Sequence, residues 1–470
     1  MSNWRTIPIG KAIQFNPPES IKKGAIAKKI AMGKLTEFQR KINGFEISEY
    51  SAGPKFRNGD TLVAKITPCI ENGKTAFVDI LNDGEIAFGS SEFIVLRNTS
   101  LTDPKFIFYL AISPTFRFRA ISCMEGTSGR QRVNENTLRN FELAFPSLLY
   151  QQKIAKVLSD LDAKIELNNK INAELEAMAK LIYDYWFVQF NFPISKEQAE
   201  AMGKPELEGR GYKSSGGKMV WNEELRREVP EGWEVKAISE LIEVKDGTHD
   251  SPKSVENGHR LITSKHLRPE GLDFENANFI SKDDFENINK RSKVDTGDIL
   301  FSMIGNIGTI YKVDEAEINF AIKNVALYKT SDKLKYKNYL FMFLGSSDMN
   351  RYMANVISGS IQKFIGLGSL RKMPLLLDES TIVKFDNATK PIFKKFTSVK
   401  RENQKLAELR DWLLPMLMNG QVVSTSSINS GEPGSTTARG LKTETRSIQK
   451  IEQEEFSMVA EPRAEYRTGK

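Results

Sequence analysis

Leu161, Ile165, Asn168, Asn172, Leu175, Ala179, Ile182 and Trp186 recur in alternating steps of four and three. Charged residues fill the gaps: Lys164, Glu166, Lys170, Glu174, Glu176 and Lys180. That spacing is a heptad seam, so it predicts a long helix whose apolar stripe meets a partner helix. A second seam follows at Ile392, Phe396, Val399, Asn403, Leu406, Arg410 and Leu413. Ser159-Asp160 reads as the start of the first helix, and Thr389 with Pro391 as the start of the second. Two seams of matched length in one chain predict that the helices pair with each other. Asn172 and Asn403 occupy seam positions, where a buried Asn lowers stability but fixes register.

Ahead of each seam the pattern is strand-like and turn-rich. Thr61 to Ile66 is a short β run, Pro68 and Asn72-Gly73 make turns, and Thr75 to Val78 resumes. Ile299 to Ile304, Gly305-Asn306 and Thr309-Ile310-Tyr311 repeat that order. Helical patches follow in both, at Pro104 to Leu110 and Tyr336 to Leu344. Fixed landmarks confirm a repeat. Trp4, Ile9 and Ile13 answer Trp233, Ile238 and Ile242 at an offset of 229; Gly59-Asp60-Thr61-Leu62 answers Gly297-Asp298-Ile299-Leu300 at 238. Leu138-Arg139 answers Leu370-Arg371 at 232, and Asn172, Leu175 and Ile182 answer Asn403, Leu406 and Leu413 at 231. The chain reads as a tandem duplication of α+β class, each domain followed by a long helix, with the helices paired as an antiparallel coiled coil. The expected domains are 1–146, a helical spacer 147–191, a polar linker 192–229, a second domain 230–378, a second helical spacer 379–420 and a disordered tail 421–470.

Length and composition add bounds. At 470 residues the chain exceeds one compact core. The net charge of +7, from 67 basic against 60 acidic residues, favours an acidic partner only modestly. Cys69 and Cys123 form no CxxC, which argues against a zinc ribbon or disulfide framework and fits a reducing cytoplasm. The first residues lack the apolar run of a signal peptide, and no stretch approaches the roughly 20 apolar residues of a membrane helix.

Catalytic motifs fail on inspection. Asn16-Pro17-Pro18-Glu19 is similar to the corner of amino-methyltransferases, but Glu19 stands where an aromatic must stack on a flipped base. Gly73-Lys74-Thr75 imitates the end of a P-loop, yet Pro68 stands where the first Gly is needed. His249, His259 and His266 fall in one stretch with Asp246 and Asp250 nearby, but Gly247 to Pro252 reads better as an exposed loop than as a metal site.

Duplicated α+β units, each with a heptad helix, resemble the specificity subunit of type I restriction–modification systems. The phrases agree: Asp60-Thr61-Leu62 with Ala64 to Cys69 and Glu71 to Thr75; Asp246-Gly247-Thr248-His249 with Ile262 to Lys265; and Tyr212 to Gly217, Trp221 and Pro230 to Trp233. The resemblance covers residues 1 to about 420. It implies a non-catalytic chain that binds double-stranded DNA, with no membrane role and no cofactor of its own. Two modification (methyltransferase) subunits would carry S-adenosylmethionine, and two restriction (motor-nuclease) subunits would carry ATP and Mg. Each domain would read one half of a bipartite, asymmetric target, and the helices would set the unread gap and dock the modification subunits. A helix of about 30 residues spans roughly 45 Å, and DNA rises about 3.4 Å per base pair, so ruler and roughly one duplex turn are comparable.

Basic and amide side chains on loops are the candidates for phosphate and base contacts. In the first unit these are Lys65, Thr67, Asn72 and Lys74, with the late loop Ser128, Arg130, Gln131 and Arg132. In the second they are Lys245, Thr248, His249, Lys265 and Asn306, with the late loop Ser360, Gln362 and Lys363. The late loops sit in matching places, just before Leu138 and Leu370. Arg130 and Arg132 rank first, flanking a Gln in a Gly-containing loop. The aromatic run Tyr183, Tyr185, Trp186, Phe187, Phe190 and Phe192 reads first as core packing and second as a docking patch. Two other readings stand beside the adaptor: the recognition part of a fused restriction–methylation enzyme with its own catalysis, and a purely structural coiled-coil scaffold.

Overall fold

The computed structural model describes residues 4–127, 129–268, 271–359 and 363–421. Two α+β domains repeat one topology. In the first, β1 (Arg5–Pro8) pairs antiparallel with a strand 134 residues later, Glu142–Phe145. Its central sheet contains β2 (Ile13–Phe15), β3 (Thr61–Ala64), β4 (Thr75–Phe77) and β5 (Phe93–Asn98) in the antiparallel order β2–β5–β3–β4. In the second, Glu234–Ala237 pairs with Pro374–Leu377, and the strands Val244–Asp246, Val325–Tyr328, Ile299–Ser302 and Ile310–Lys312 lie side by side in the same order. Each domain adds a side sheet with one parallel pair: Ile26–Ile30 with Ala87–Gly89, and His259–Thr263 with Phe320–Lys323.

The predicted β runs are buried on both faces. All four residues of β3 are buried, as are all four of Ile299–Ser302. In the first domain, helix α1 (Pro104–Ile112) covers one face and the side-sheet residues Ile30 and Phe56 cover the other. Asp103 starts that helix by accepting a hydrogen bond from the Phe106 amide at 2.9 Å, with Pro104 in the first turn.

The repeated Gly-Asp phrase is a buried turn. Asp60, 1% exposed, accepts the Arg57 amide at 2.9 Å and holds Arg97 through two bonds of 2.6 and 2.7 Å. Glu19 adds a third contact to Arg97 at 2.6 Å, so the Asn-Pro-Pro-Glu stretch closes an ion-pair cluster. In the second domain Asp298 accepts the Asp295 amide at 2.8 Å and meets Lys329 at 2.6 Å. A buried carboxylate with a cation from the neighbouring strand explains why this phrase is common to both halves.

The long helices are α2 (Leu148–Tyr183) and α3 (Glu379–Met418). Arg410 meets Asp162 at 2.9 Å, Asn168 meets Glu402 at 3.0 Å, and Trp186 packs edge-on against Phe385. Numbers rise along one helix as they fall along the other, so the pair is antiparallel. Both helices begin earlier than their seams predict. The first turn of α2 is anchored by the Ser147 carbonyl, which accepts the amides of Tyr150 and Gln151. Asp378 caps α3 by accepting the Thr381 amide at 2.8 Å, and Pro391 lies inside the helix. The seam spacing itself runs back past the expected starts: Ile154 and Leu158 in α2, and Ile382, Phe385 and Thr389 in α3, keep the steps of four and three and are buried.

Among the seam positions, Asn168, Ala179 and Val399 are buried. Leu161, Ile165, Asn172, Leu175, Ile182, Ile392, Phe396, Asn403, Leu406 and Leu413 are half-buried. Asn172 and Asn403 do not meet. Antiparallel pairing instead puts the Asn403 amide on Asn169 Oδ1 at 2.7 Å, and Asn172 Oδ1 is buried with no hydrogen-bond partner among the described residues.

The stretch between the domains is a small folded module rather than an open tether. Helix Lys196–Ala201 and the hairpin Met219–Asn222/Arg227–Pro230 enclose Phe190, Phe192, Ile194, Tyr212 and Val229, which pack with Leu376. The aromatic run is chiefly core. Tyr183, Phe187, Phe190 and Phe192 are buried with Trp233, Tyr339 and Phe385 around them, and Tyr185 is exposed. Among the described residues no helix is long and apolar enough to cross a membrane.

Candidate nucleic-acid interface

In the first domain the chosen residues converge at one end of the central sheet. The chain leaves β3 at Lys65, whose amide bonds the Glu92 carbonyl at 2.9 Å, at the entry to β5. The late loop lies against this exit. Ile66 bridges to Arg132, the Val133 amide donates to the Lys65 carbonyl at 2.8 Å, and Thr67 and Gln131 exchange bonds of 3.0 and 3.1 Å. Residues 64 to 68 positions apart in sequence thus form one ridge. Gly126 makes the turn possible: its φ is +122°, and a Cβ there would stand 3.2 Å from the Arg130 carbonyl oxygen.

Charge on this ridge is partly compensated. Glu92 holds Arg132 by a bidentate pair at 2.8 and 2.9 Å, and the hydrogen bonds from that guanidinium push the Glu92 carboxyl below its ordinary range. Glu135 accepts Asn16 at 2.6 Å and Lys65 at 3.4 Å. Arg130 is exposed and has no ion-pair partner among the described residues. Asn72 is exposed and Lys74 half-buried on the turn between β3 and β4. Ser128 lies outside the described residues.

The second domain repeats the construction with other side chains. Ile304 bridges to Phe364, and the Ile365 amide donates to the Met303 carbonyl at 2.9 Å, the same two links at the same places in the repeat. Asn306 and Lys363 are exposed on these adjoining loops; Ser360 and Gln362 lie outside the described residues. At the same sheet end, Thr248 donates its amide to the Ile322 carbonyl at 3.1 Å. His249 places Nδ1 2.7 Å from Asn324 Oδ1 and Nε2 2.9 Å from Asp246 Oδ2, and Arg291 also contacts Asp246. Lys265 is exposed beside Ser264, whose hydroxyl donates to the Asn324 carbonyl at 2.9 Å. Lys245 is half-buried and paired with Glu243 at 3.1 Å, at the start of this edge.

Sequence reading missed Asn16, Glu92, Glu135, Arg291, Lys323 and Asn324. Glu92, Lys323 and Asn324 reach the ridge through strand pairing, while Arg291, on the helix Lys282–Ser292, reaches it through its contact with Asp246. The three histidines divide in role. His249 is exposed on the ridge, His259 stacks on Phe285, and His266 is buried and held below its ordinary pKa by that burial while accepting the Thr263 amide. Among the described residues no three His, Cys, Asp or Glu side chains come together as metal ligands.

Comparison with known proteins agrees with this architecture. The family described as "Type I restriction modification DNA specificity domain" matches residues 5–177. The HindI specificity subunit of Haemophilus influenzae is 26% identical over 415 residues, covering 78% of this chain and 87% of the relative. The MjaIX specificity subunit of Methanocaldococcus jannaschii is 25% identical over 322 residues, covering 68% and 69%. The crystal structure of a type I restriction–modification S subunit from M. genitalium shares the fold, with a TM-score of 0.50, 16% identity, and coverage of 88% of this chain and 96% of that one. With two α+β domains on an antiparallel helix pair, the chain has the fold of the S subunit from M. genitalium and is similar along most of its length to type I restriction enzyme specificity subunits.

Proposed function

We propose that each domain reads one half of a bipartite, asymmetric DNA target through the ridge at its sheet end. The observation that carries this is the repeated Ile66–Arg132 and Ile304–Phe364 bridge, which builds the same ridge twice from unlike side chains. A like frame with divergent tips suits two different half-sites. The helices are the spacer. Cross-helix contacts run from Asp162 in α2 to Trp186 in the helical turn Asp184–Val188 that follows it, 24 residue steps, or about 36 Å at 1.5 Å per residue. That is about one turn of duplex, so both ridges meet the same face of DNA.

The chemistry belongs to partners. Two modification subunits bring S-adenosylmethionine, and two restriction subunits bring ATP and Mg. Docking is supported by exposed apolar pairs at equivalent places in the repeat: Met178 and Leu181 on α2, Leu409 and Trp412 on α3, each 231 residues apart. Two matched patches suit two copies of one partner. The test is to assemble the full chain with its modification subunits and map methylated sites. Arg130→Ala with Arg132→Ala relaxes only one half-site, and Asn306→Ala with Lys363→Ala only the other. Loss of both half-sites from either pair, or methyl transfer by this chain alone, overturns the reading.

A further inference from the structure

Strand pairing aligns the two domains residue by residue. Thr61 faces Phe77 in β3–β4, and Ile299 faces Lys312 in the matching pair. A lysine therefore stands where the first domain has an aromatic. Its ammonium lies 3.8 Å from the ring centre of Phe393 and 5.4 Å from that of Phe341, and it has no hydrogen-bond or ion-pair partner among the described residues. It opens onto a cavity of about 450 Å³ floored by Leu175, Ile310, Phe341, Ile392, Phe393 and Phe396. That volume suits a small molecule.

The charges that face Lys312 are committed or repulsive. Lys337 and Lys400 are cations. Asp314 pairs with Lys400 at 3.9 Å, and Asp386 accepts Asn338 at 2.8 Å. Glu176 of α2 sits on the cavity rim. Burial among apolar side chains pushes the Lys312 amine down to about 7. An ammonium without a counter-ion beside an apolar chamber is an incomplete arrangement.

We propose that this cavity is a binding site for a small amphipathic carboxylate, with its ring or chain among the six apolar residues and its carboxylate on Lys312 Nζ. One monoanion matches one cation, and the apolar floor accounts for the rest of the molecule. The site joins the second domain, through Ile310 and Phe341, to both helices, through Leu175 and Phe393. Ligand binding therefore stiffens the attachment of that domain to the spacer.

The probes are 2-naphthoate and uncharged 2-naphthalenemethanol, titrated calorimetrically into the full chain. At pH 6.5 naphthoate binds about tenfold tighter than the alcohol. Lys312→Met, which keeps an apolar stem, abolishes that preference, and Lys312→Arg retains it. Bound carboxylate raises the amine pKa, so above pH 7 binding takes up a proton. Naphthoate affinity then falls between pH 7 and 8.5, and the measured heat follows the ionisation enthalpy of the buffer. No naphthoate binding at millimolar concentration, equal affinity for the two probes on the unaltered chain, or a preference that survives in a folded Lys312→Met chain overturns the proposal. The two probes on the unaltered chain decide the question even if a variant fails to fold.

Discussion

In the proposed function Arg132 is a single side chain held ready for recognition. Glu92 grips it in a two-bond fork, which fixes the guanidinium plane while leaving it half exposed. We expect Arg132→Ala to weaken binding at one half-site by about 1–3 kcal/mol and to relax its base preference, read by binding to a panel of single-base variants. Glu92→Gln should leave affinity nearer normal but blur discrimination, because the fork loses its charged clamp. Arg97 is the contrasting case. Its hydrogen bonds to Asp60 raise its pKa, and the pair is buried. Arg97→Met leaves Asp60 buried and uncompensated, which should lower unfolding stability by about 3 kcal/mol in denaturant titration. DNA discrimination by the remaining folded fraction should be unchanged, since Arg97 lies away from the ridge.

At the scale of elements, the helix pair is the frame and, in the proposed function, the measure. Asp162 ties three elements together, accepting the Tyr109 hydroxyl of α1 at 2.6 Å and Arg410 of α3 at 2.9 Å. Burial, and after it the Asp162 carboxylate, pushes the Tyr109 hydroxyl far above its ordinary range, so it stays a donor. Lys170 and Arg401 lie beside the Asn168–Glu402 and Asn169–Asn403 contacts at the middle of the pair. Inserting seven residues at both places preserves the seam phase. It should lengthen the unread gap by about 10 Å, or about three base pairs, with both half-sites intact. Sequencing of methylated sites from the altered complex checks this, and a changed half-site would show that the helices do more than space the domains.

For the whole molecule, in the proposed function, duplication converts one fold into two addresses and two docking patches. Leu181→Asp or Trp412→Asp should each cost one copy of the modification subunit, visible as a mass decrement in native mass spectrometry, and the double variant should lose both. Much of this plan was legible in the sequence. The steps of four and three from Leu161 to Trp186 determine a paired helix, and the Gly-Asp phrases at Asp60 and Asp298 determine a repeat, because both patterns are local consequences of helix period and turn geometry. The ridge pairings were only half legible: the late loops before Leu138 and Leu370 stood out, while Glu92, Glu135 and Asn324 carried no mark in sequence. Tertiary structure alone decided that Thr67 sits on Gln131 and that Asn403 meets Asn169 rather than Asn172. It also showed that the polar stretch after Phe190 folds on its own aromatic core, and that Lys312 faces an apolar cavity where its counterpart is Phe77. The physical reason is the same in each case. Periodicity records which face of an element is buried, but the partner across that face is set by long-range strand register and by antiparallel helix alignment, which no local pattern encodes.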